Sequence, residues 1–274
     1  MTIANPHFGI PMTADQYAEE WKQNSKFFAE NGYYEWMSTH LLQAKTVVEI
    51  GCGPGLSTIA LSKSGRKVIS IEANQSLAHI AELNLTNSGV TCTLFLIDCV
   101  DQIGSNKAVQ VEILVADIFD ERIGSLLPKY KIDAMACWLI GAQPALIAAH
   151  VGKKLEDFTG PEMPEYRDMI HRRIYRLGNQ ILSAGGVCHI VDRMALNSWN
   201  QKDQMRVAIA EKHEDLSEGK YNATKDCIFL KRITASFEAS KIQHIMPTGA
   251  KASAGIVLSS VAATRVLTGP ENDG

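Results

Sequence analysis

The chain predicts a doubly wound α/β fold: a seven-stranded sheet, mostly parallel, with an antiparallel edge pair and an N-terminal helical cap. Three observations carry this. Short β-branched runs alternate with helical patterns through the first five strands, the order that builds a parallel sheet covered on both faces. A glycine-rich turn, Gly51-Cys52-Gly53-Pro54-Gly55, follows the first of these runs directly. Two strand-like runs with no helical pattern between them close the chain, which gives the antiparallel pair.

Residues 13–42 read as helical, with Thr13 as N-cap, Gln16 completing a capping box and Gly32 breaking the segment in two. Thr46–Ile50 is short and β-branched, a buried parallel strand. The glycine turn and a helix over 56–62 follow, then a strand at Lys67–Glu72. Leu77, Ile80, Ala81 and Leu85 recur at helical spacing over 75–87. Residues 91–97 and 109–116 are both strand-like, separated by the turn Gly104-Ser105-Asn106. The second belongs to the main sheet, and the first is expected as an inserted strand pairing antiparallel at its side. Residues 132–139 are strand four. Gly152, Gly160, Pro161 and Pro164 make 150–165 a loop, followed by a helix over 165–183. Residues 187–191 are strand five, 199–218 is helical, and 226–233 and 255–266 are the closing strands. The expected organisation is a cap or lid over 1–44, the sheet domain over 45–266 and a frayed tail over 267–274.

The 274 residues carry 27 Lys and Arg against 30 Asp and Glu, so net charge gives no reason to expect a nucleic-acid partner. Six cysteines include no C-x-x-C pair, which argues for buried thiols over a zinc site. No signal peptide and no apolar stretch of spanning length is visible, and the expectation is a cytoplasmic protein without membrane association.

Glycines at 51, 53 and 55 place Leu56 where a dinucleotide fingerprint needs its last glycine, and no Lys-Ser/Thr follows as in a P-loop. Glu49 precedes the turn by two residues, Glu72 ends the second strand and Asp117 ends the third. A carboxylate at the position of Glu72 can accept both hydroxyls of a ribose. With these residues in view, the chain resembles the class I S-adenosylmethionine-dependent methyltransferases, whose first motif is an acid followed by glycines at alternate positions. The resemblance covers about 45–140 and 180–193. It implies a Rossmann-like sheet and S-adenosyl-L-methionine as cofactor, with S-adenosyl-L-homocysteine as product. It further implies that the backbone of Gly51, Cys52, Gly53, Pro54 and Gly55 wraps the methionine part, with Glu49 ordering the loop from beneath. Glu72 and its neighbour Ala73 would meet the ribose. Asp117 would accept the adenine amino hydrogen, with Ile118 or Phe119 on the ring, and Cys137 and Trp138 at the end of strand four would complete the site. The other reading of Asp117 is a helix N-cap.

Candidate acceptor residues lie beyond the carboxyl ends of strands four and five. Tyr17, Trp21 and Tyr33 could line an acceptor pocket from the cap, and 141–166 is a second lid piece. The stretch Cys137-Trp138-Leu139-Ile140-Gly141-Ala142-Gln143-Pro144 lacks the Asn/Asp-Pro-Pro-aromatic motif of families that methylate exocyclic base amines, which counts against a DNA-adenine or glutamine-type amine acceptor. His150 is the candidate general base and is named as catalytic. His171 heads the basic run His171-Arg172-Arg173-Ile174-Tyr175-Arg176, read as a solvated face or as a patch for an anionic acceptor. The expected acceptor is a small molecule, methylated at oxygen or nitrogen. RNA or a protein side chain is the alternative, and a non-catalytic S-adenosylmethionine-binding protein is the third reading. The strands around 91–116 are a candidate contact in a homodimer.

Overall fold

The structure, a computed structural model, describes residues 12–129, 131–158, 161–234 and 255–266. The N-terminal helix α1 (Ala14–Glu30) starts at the capping box read from the sequence. The Thr13 hydroxyl accepts the Gln16 amide at 3.2 Å and the Gln16 side chain accepts the Thr13 amide at 2.9 Å. Asn31 and Gly32 separate it from α2 (Tyr33–Thr39). Then follow β1 (Thr46–Ile50), α3 (Leu56–Ser62), β2 (Lys67–Glu72), α4 (Gln75–Asn87), β3 (Cys92–Leu96), β4 (Val111–Val115), a short α5 (Ile123–Leu126) and β5 (Ile132–Trp138). After α6 (Pro144–Val151), α7 (Glu162–Ile181), β6 (Leu182–Leu196) and α8 (Lys202–Leu216), the strands β7 (Tyr221–Asn222), β8 (Ile228–Arg232) and β9 (Gly255–Arg265) complete the described chain.

Among the described residues nine strands form one sheet in the order β3-β4-β2-β1-β5-β6-β9, with β7 and β8 both paired to β9. The pairs up to β5–β6 are parallel, and β9 is antiparallel to β6, β7 and β8. Two expectations change. The strand at 92–96 runs parallel to β4, with Cys92 opposite Val111 and Leu96 opposite Val115. Residues 97–110 supply a connection of the length a parallel crossover needs, about a dozen residues or more. The strand count is nine because β3 joins the main sheet and the two-residue β7 adds to the edge.

The stretch 141–166 is more ordered than a loop. Pro144 occupies the first turn of α6, where its missing N–H costs nothing, and Pro164 likewise sits in the first turn of α7. Gly185 and Gly186 fall inside the long β6, whose pairing with β5 shifts register between Ile132 and Ala134. Each sheet face carries its own core. One contains Leu114, Met135, Ile170, Ile174, Leu177 and Ile209, under α5 to α8. The other contains Val47, Leu61, Val68, Ala81 and Leu85, with Tyr17, Phe28, Tyr34 and Met37 of the first two helices. Residues 12–44 therefore share the sheet's core. Arg66, 2% exposed, fixes them there by donating to the carbonyls of Ser38, Leu41 and Ala44 and to the Ser38 hydroxyl. Residues 267–274, read as a tail, lie outside the described residues.

Candidate functional site

A cleft opens at the carboxyl ends of the central strands, where the chain order reverses around β1, the usual ligand position in an open α/β sheet. It encloses about 680 Å³ including its open mouth. Its walls come from Gly51 and Gly53 after β1, Glu72, Ala73 and Asn74 after β2, Ala116, Asp117 and Ile118 after β4, and residues 139–143 after β5. Tyr17 and Trp21 of α1 and Tyr166 and Ile170 of α7 close it from the two sides.

Two glycines explain the loop. Gly53 has φ 53°, and a Cβ there would lie 2.7 Å from the Trp21 indole nitrogen. Gly55, φ 82°, begins α3, and its Cβ would lie 2.9 Å from the Ala81 Cα, so the close packing of α3 on α4 requires glycine. The loop is held by acids on both sides. Glu72 accepts the Gly53 amide at 2.9 Å through one oxygen and the Asn74 amide at 2.9 Å through the other. Burial, reinforced by the charge of Glu49, pushes Glu72 up to about 7. Glu49 itself is buried below the loop and is absent from the cleft wall. Its carboxylate accepts the hydroxyls of Ser57 at 2.6 Å, Thr58 at 2.6 Å and Ser70 at 2.8 Å, tying β1 to α3 and β2. Burial raises its pKa against these three bonds.

Asp117 does not cap a helix. One carboxylate oxygen accepts the Phe119 amide at 3.0 Å, and the other lies 2.7 Å from His150 Nε2. His150 packs its ring against Phe119 at 4.4 Å and Tyr166 at 5.7 Å between centroids. His150 and Phe119 both bond Asp117 and do not line the cleft. Cys52, Pro54 and Gly55 also lie outside its wall, as do Cys137 and Trp138. Cys137 is core, and the Trp138 indole donates to His189 Nδ1 at 2.9 Å while stacking on Tyr34.

Among the residues read as acceptor contacts, Tyr17 and Trp21 reach the cleft, stacked on each other at 6.4 Å. Tyr33 does not: it is buried under α1, and its hydroxyl accepts the Thr234 amide at 3.3 Å. His171 does not either. It is 1% exposed, stacks on His213 at 5.7 Å and faces the Asp192 carboxylate at 3.7 Å, with burial lowering its pKa. The rest of its basic run is engaged: Arg172 with Asp215, Arg173 with the carbonyls of Ile118 and Asp120, Arg176 with Glu218.

Sequence reasoning gave 141–166 as a lid piece without singling out Tyr166 or Gln143, and it gave the turn from Leu139 to Gly141 no role in the site. Leu139 has φ 59°, an unusual value for a branched residue, and its amide is held by the Val191 carbonyl at 2.7 Å. That bend lays Ile140 across Gly51. The hydroxyls of Tyr17 and Tyr166 are not sealed from solvent and have no hydrogen-bond partner among the described residues, so both are available to a ligand. Tyr166 had a signal, since it lies one helical turn before Ile170 on the apolar face of α7. Leu139 had none.

Residues 18–117, the segment that holds the glycine loop, Glu72 and Asp117, match the family model of protein-L-isoaspartate (D-aspartate) O-methyltransferase. These matches support a class I S-adenosylmethionine-dependent methyltransferase relationship for this segment. It is 33% identical to the ribosomal protein L11 methyltransferase of Photobacterium profundum over 98 residues, 35% of this chain and 32% of that one. It is 30% identical to the ubiquinone biosynthesis O-methyltransferase of Paraburkholderia xenovorans over 96 residues, 33% of this chain and 41% of that one. The chain thus spans less than half the length of these curated relatives. Among solved structures, it is similar to the geranyl diphosphate C-methyltransferase from Streptomyces coelicolor A3(2), with a TM-score of 0.49, 13% identity, and coverage of 96% of this chain and 89% of that one. Among the described residues no helix is long and apolar enough to cross a membrane.

Proposed function

We propose that this methyltransferase carries a methyl group from S-adenosylmethionine to a small molecule, at an oxygen or nitrogen atom. The observation that carries the reading is the meeting of two acids, Glu72 and Asp117, with Gly51 and Gly53 on one cleft. The residues present fit the cofactor. The backbone at Gly51 and Gly53 would meet its methionine part, and Glu72, with Ala73 beside it, would accept the ribose hydroxyls. Asp117 would accept the adenine amino group and Ile118 would cover the ring. Glu49, which touches only the loop's supports, would keep the loop in shape.

When bound, S-adenosylmethionine supplies a methyl group on a sulfonium, whose transfer is an in-line displacement helped most by positioning. The chain's own contribution is to align and to exclude water. Trp21 and Ile140 cover the two loop glycines, and Tyr17 and Tyr166 offer neutral hydroxyls to hold an acceptor. Burial raises both phenols, so they remain protonated donors. Walls from α1 and α7 favour a small acceptor over a polymer. Arg172, Arg173 and Arg176 each face a carboxylate or carbonyl, which weakens the feature that favoured RNA.

The test is calorimetric titration of S-adenosylmethionine and of reduced nicotinamide cofactors into the protein and its Glu72→Ala variant, then transfer of labelled methyl to small acceptors, RNA and peptides. Micromolar binding of S-adenosylmethionine alone, lost in the variant, with label entering small molecules, supports the reading. Label in peptides or RNA would replace the acceptor class. Binding with no transfer to any acceptor would leave a sensor, and no binding would overturn the proposal.

A further inference from the structure

We propose that His150 is a positioning residue for the adenine end of the site, and that it sets a preference for a purine with an amino group at its six-position. The inference rests on the cofactor reading above, and it replaces the reading of His150 as a general base.

The geometry begins with Asp117, whose side chain is 30% exposed at the cleft wall. Each of its oxygens is held by a group outside the cleft lining, one by the Phe119 amide at 3.0 Å and the other by His150 Nε2 at 2.7 Å. The second distance is that of a charge-assisted N–H to carboxylate bond, with His150 donating. An ionised carboxylate only accepts, and its two oxygens offer about four lone-pair directions. Two are taken, and because Asp117 lines the cleft the others are open to a ligand there. Such a group welcomes an N–H and opposes an oxo group, which is the difference between a 6-amino and a 6-oxo purine.

His150 makes that preference firm. A carboxylate torsion is broad and roughly two-fold, so its own rotamer does not hold an aspartate in one orientation. The backbone bond from Phe119 secures one oxygen, and His150 secures the other. The imidazole is itself fixed by α6 and by the rings of Phe119 and Tyr166, at 4.4 and 5.7 Å. Without the imidazole, Asp117 could turn. Loss of His150 should therefore cost discrimination more than affinity. A base for the acceptor would need to reach the reacting group. His150 is outside the cleft lining and bonds Asp117.

The experiment is calorimetry of S-adenosylhomocysteine against S-inosylhomocysteine, which differs at the six-position, on the full chain. The variants are His150→Phe, which keeps a ring against Phe119 and Tyr166, and His150→Gln, which keeps a donor N–H at similar reach. Wild type should prefer the adenosyl compound by about 5- to 150-fold, the range of a specific base contact. His150→Phe should lose most of that preference, up to about tenfold, the worth of one hydrogen bond, and His150→Gln should keep it within about threefold. Should His150→Phe not fold, His150→Asn, too short to reach Asp117, takes its place with the same expected loss. A preference in His150→Phe or His150→Asn equal to wild type overturns the assignment and leaves the cofactor reading standing. Wild type that binds neither compound overturns both.

Discussion

The carboxylate of Glu72 accepts the backbone amide of Gly53 at 2.9 Å, so the acid that ends β2 shapes the loop that leaves β1. The group proposed to hold the ribose is thus also a structural brace. Burial has pushed Glu72 up to about 7, well above the unfolded value of about 4.3. Two opposite pH effects follow. A raised pKa contributes to apo stability fully below the unfolded value, and the contribution is lost as pH rises through 7. Ribose hydroxyls donate to the ionised form, so cofactor affinity should rise over the same interval. Titrations of S-adenosylhomocysteine from pH 6 to 8 should show tightening with pH and proton release on binding at the acid end. Glu72→Gln should bind weakly at every pH, and a pH-dependent variant would refute the linkage.

Glu49 separates support from contact. It accepts three hydroxyls in a fully buried position. Glu49→Ala leaves Ser57, Thr58 and Ser70 without their acceptor and should cost about 3 kcal/mol, the scale for breaking a buried network. Ser70→Ala removes one bond and should cost about 1 kcal/mol. Urea unfolding of the apo protein checks this, and equal losses for the two variants would show that the network does not act through Glu49.

Much of this was legible in the residues. The Thr13–Gln16 capping box, the alternation of strands and helices, and the glycine loop between two acids all arise from local patterns, and local patterns survive folding. The direction of β3 was not legible, because a five-residue apolar run pairs either way and only the length of 97–110 hints at the crossover. The fates of His171 and His150 were hidden for another reason. A histidine on a helix can face core, solvent or site, and the deciding partners, Asp192, His213 and Asp117, are distant in sequence. The arginines of the basic run read as a solvated face or an anion patch are in part solvated, since the side chains of Arg172 and Arg176 are 42% and 61% exposed, and they pair with Asp215, Glu218 and the 118–121 turn, charges that no periodicity in α7 reveals.

The two loop glycines should fail differently. At Gly53 an added Cβ meets the end of a side chain, the Trp21 indole, and at Gly55 it meets the backbone of Ala81. Gly53→Ala should fold, with a stability loss of about 1–2 kcal/mol from its positive φ, and lose at least about tenfold in cofactor affinity. Gly55→Ala should lose more stability, about 2–4 kcal/mol, because helix α4 cannot yield as a side chain does. Because Trp21 covers Gly53, S-adenosylhomocysteine should change the tryptophan fluorescence of wild type, and Trp21→Phe should remove most of the change. A full signal in Trp21→Phe would place the responding indole elsewhere.

His189 sets the acid limit. Trp138 donates to its Nδ1 at 2.9 Å, which puts the proton on Nε2, where it is donated to the Ser260 hydroxyl at 2.7 Å. A second proton has no acceptor on this ring, and burial holds the pKa down at about 3. A histidine depressed in this way stabilises the fold fully above its unfolded pKa of about 6.5, and that contribution falls away as pH drops toward 3. Glu72 has the opposite slope between about 4.3 and 7, so the wild-type curve alone does not isolate the histidine. The difference between proteins does. In His189→Gln the amide can accept from Trp138 and donate to Ser260 without titrating. The stability of wild type relative to this variant should therefore fall by about 1.4 kcal/mol for each pH unit between 6 and 4. Urea unfolding at several pH values measures it. A difference that stays flat would mean that His189 is already protonated in the native state or that the Trp138–His189–Ser260 chain does not persist in solution.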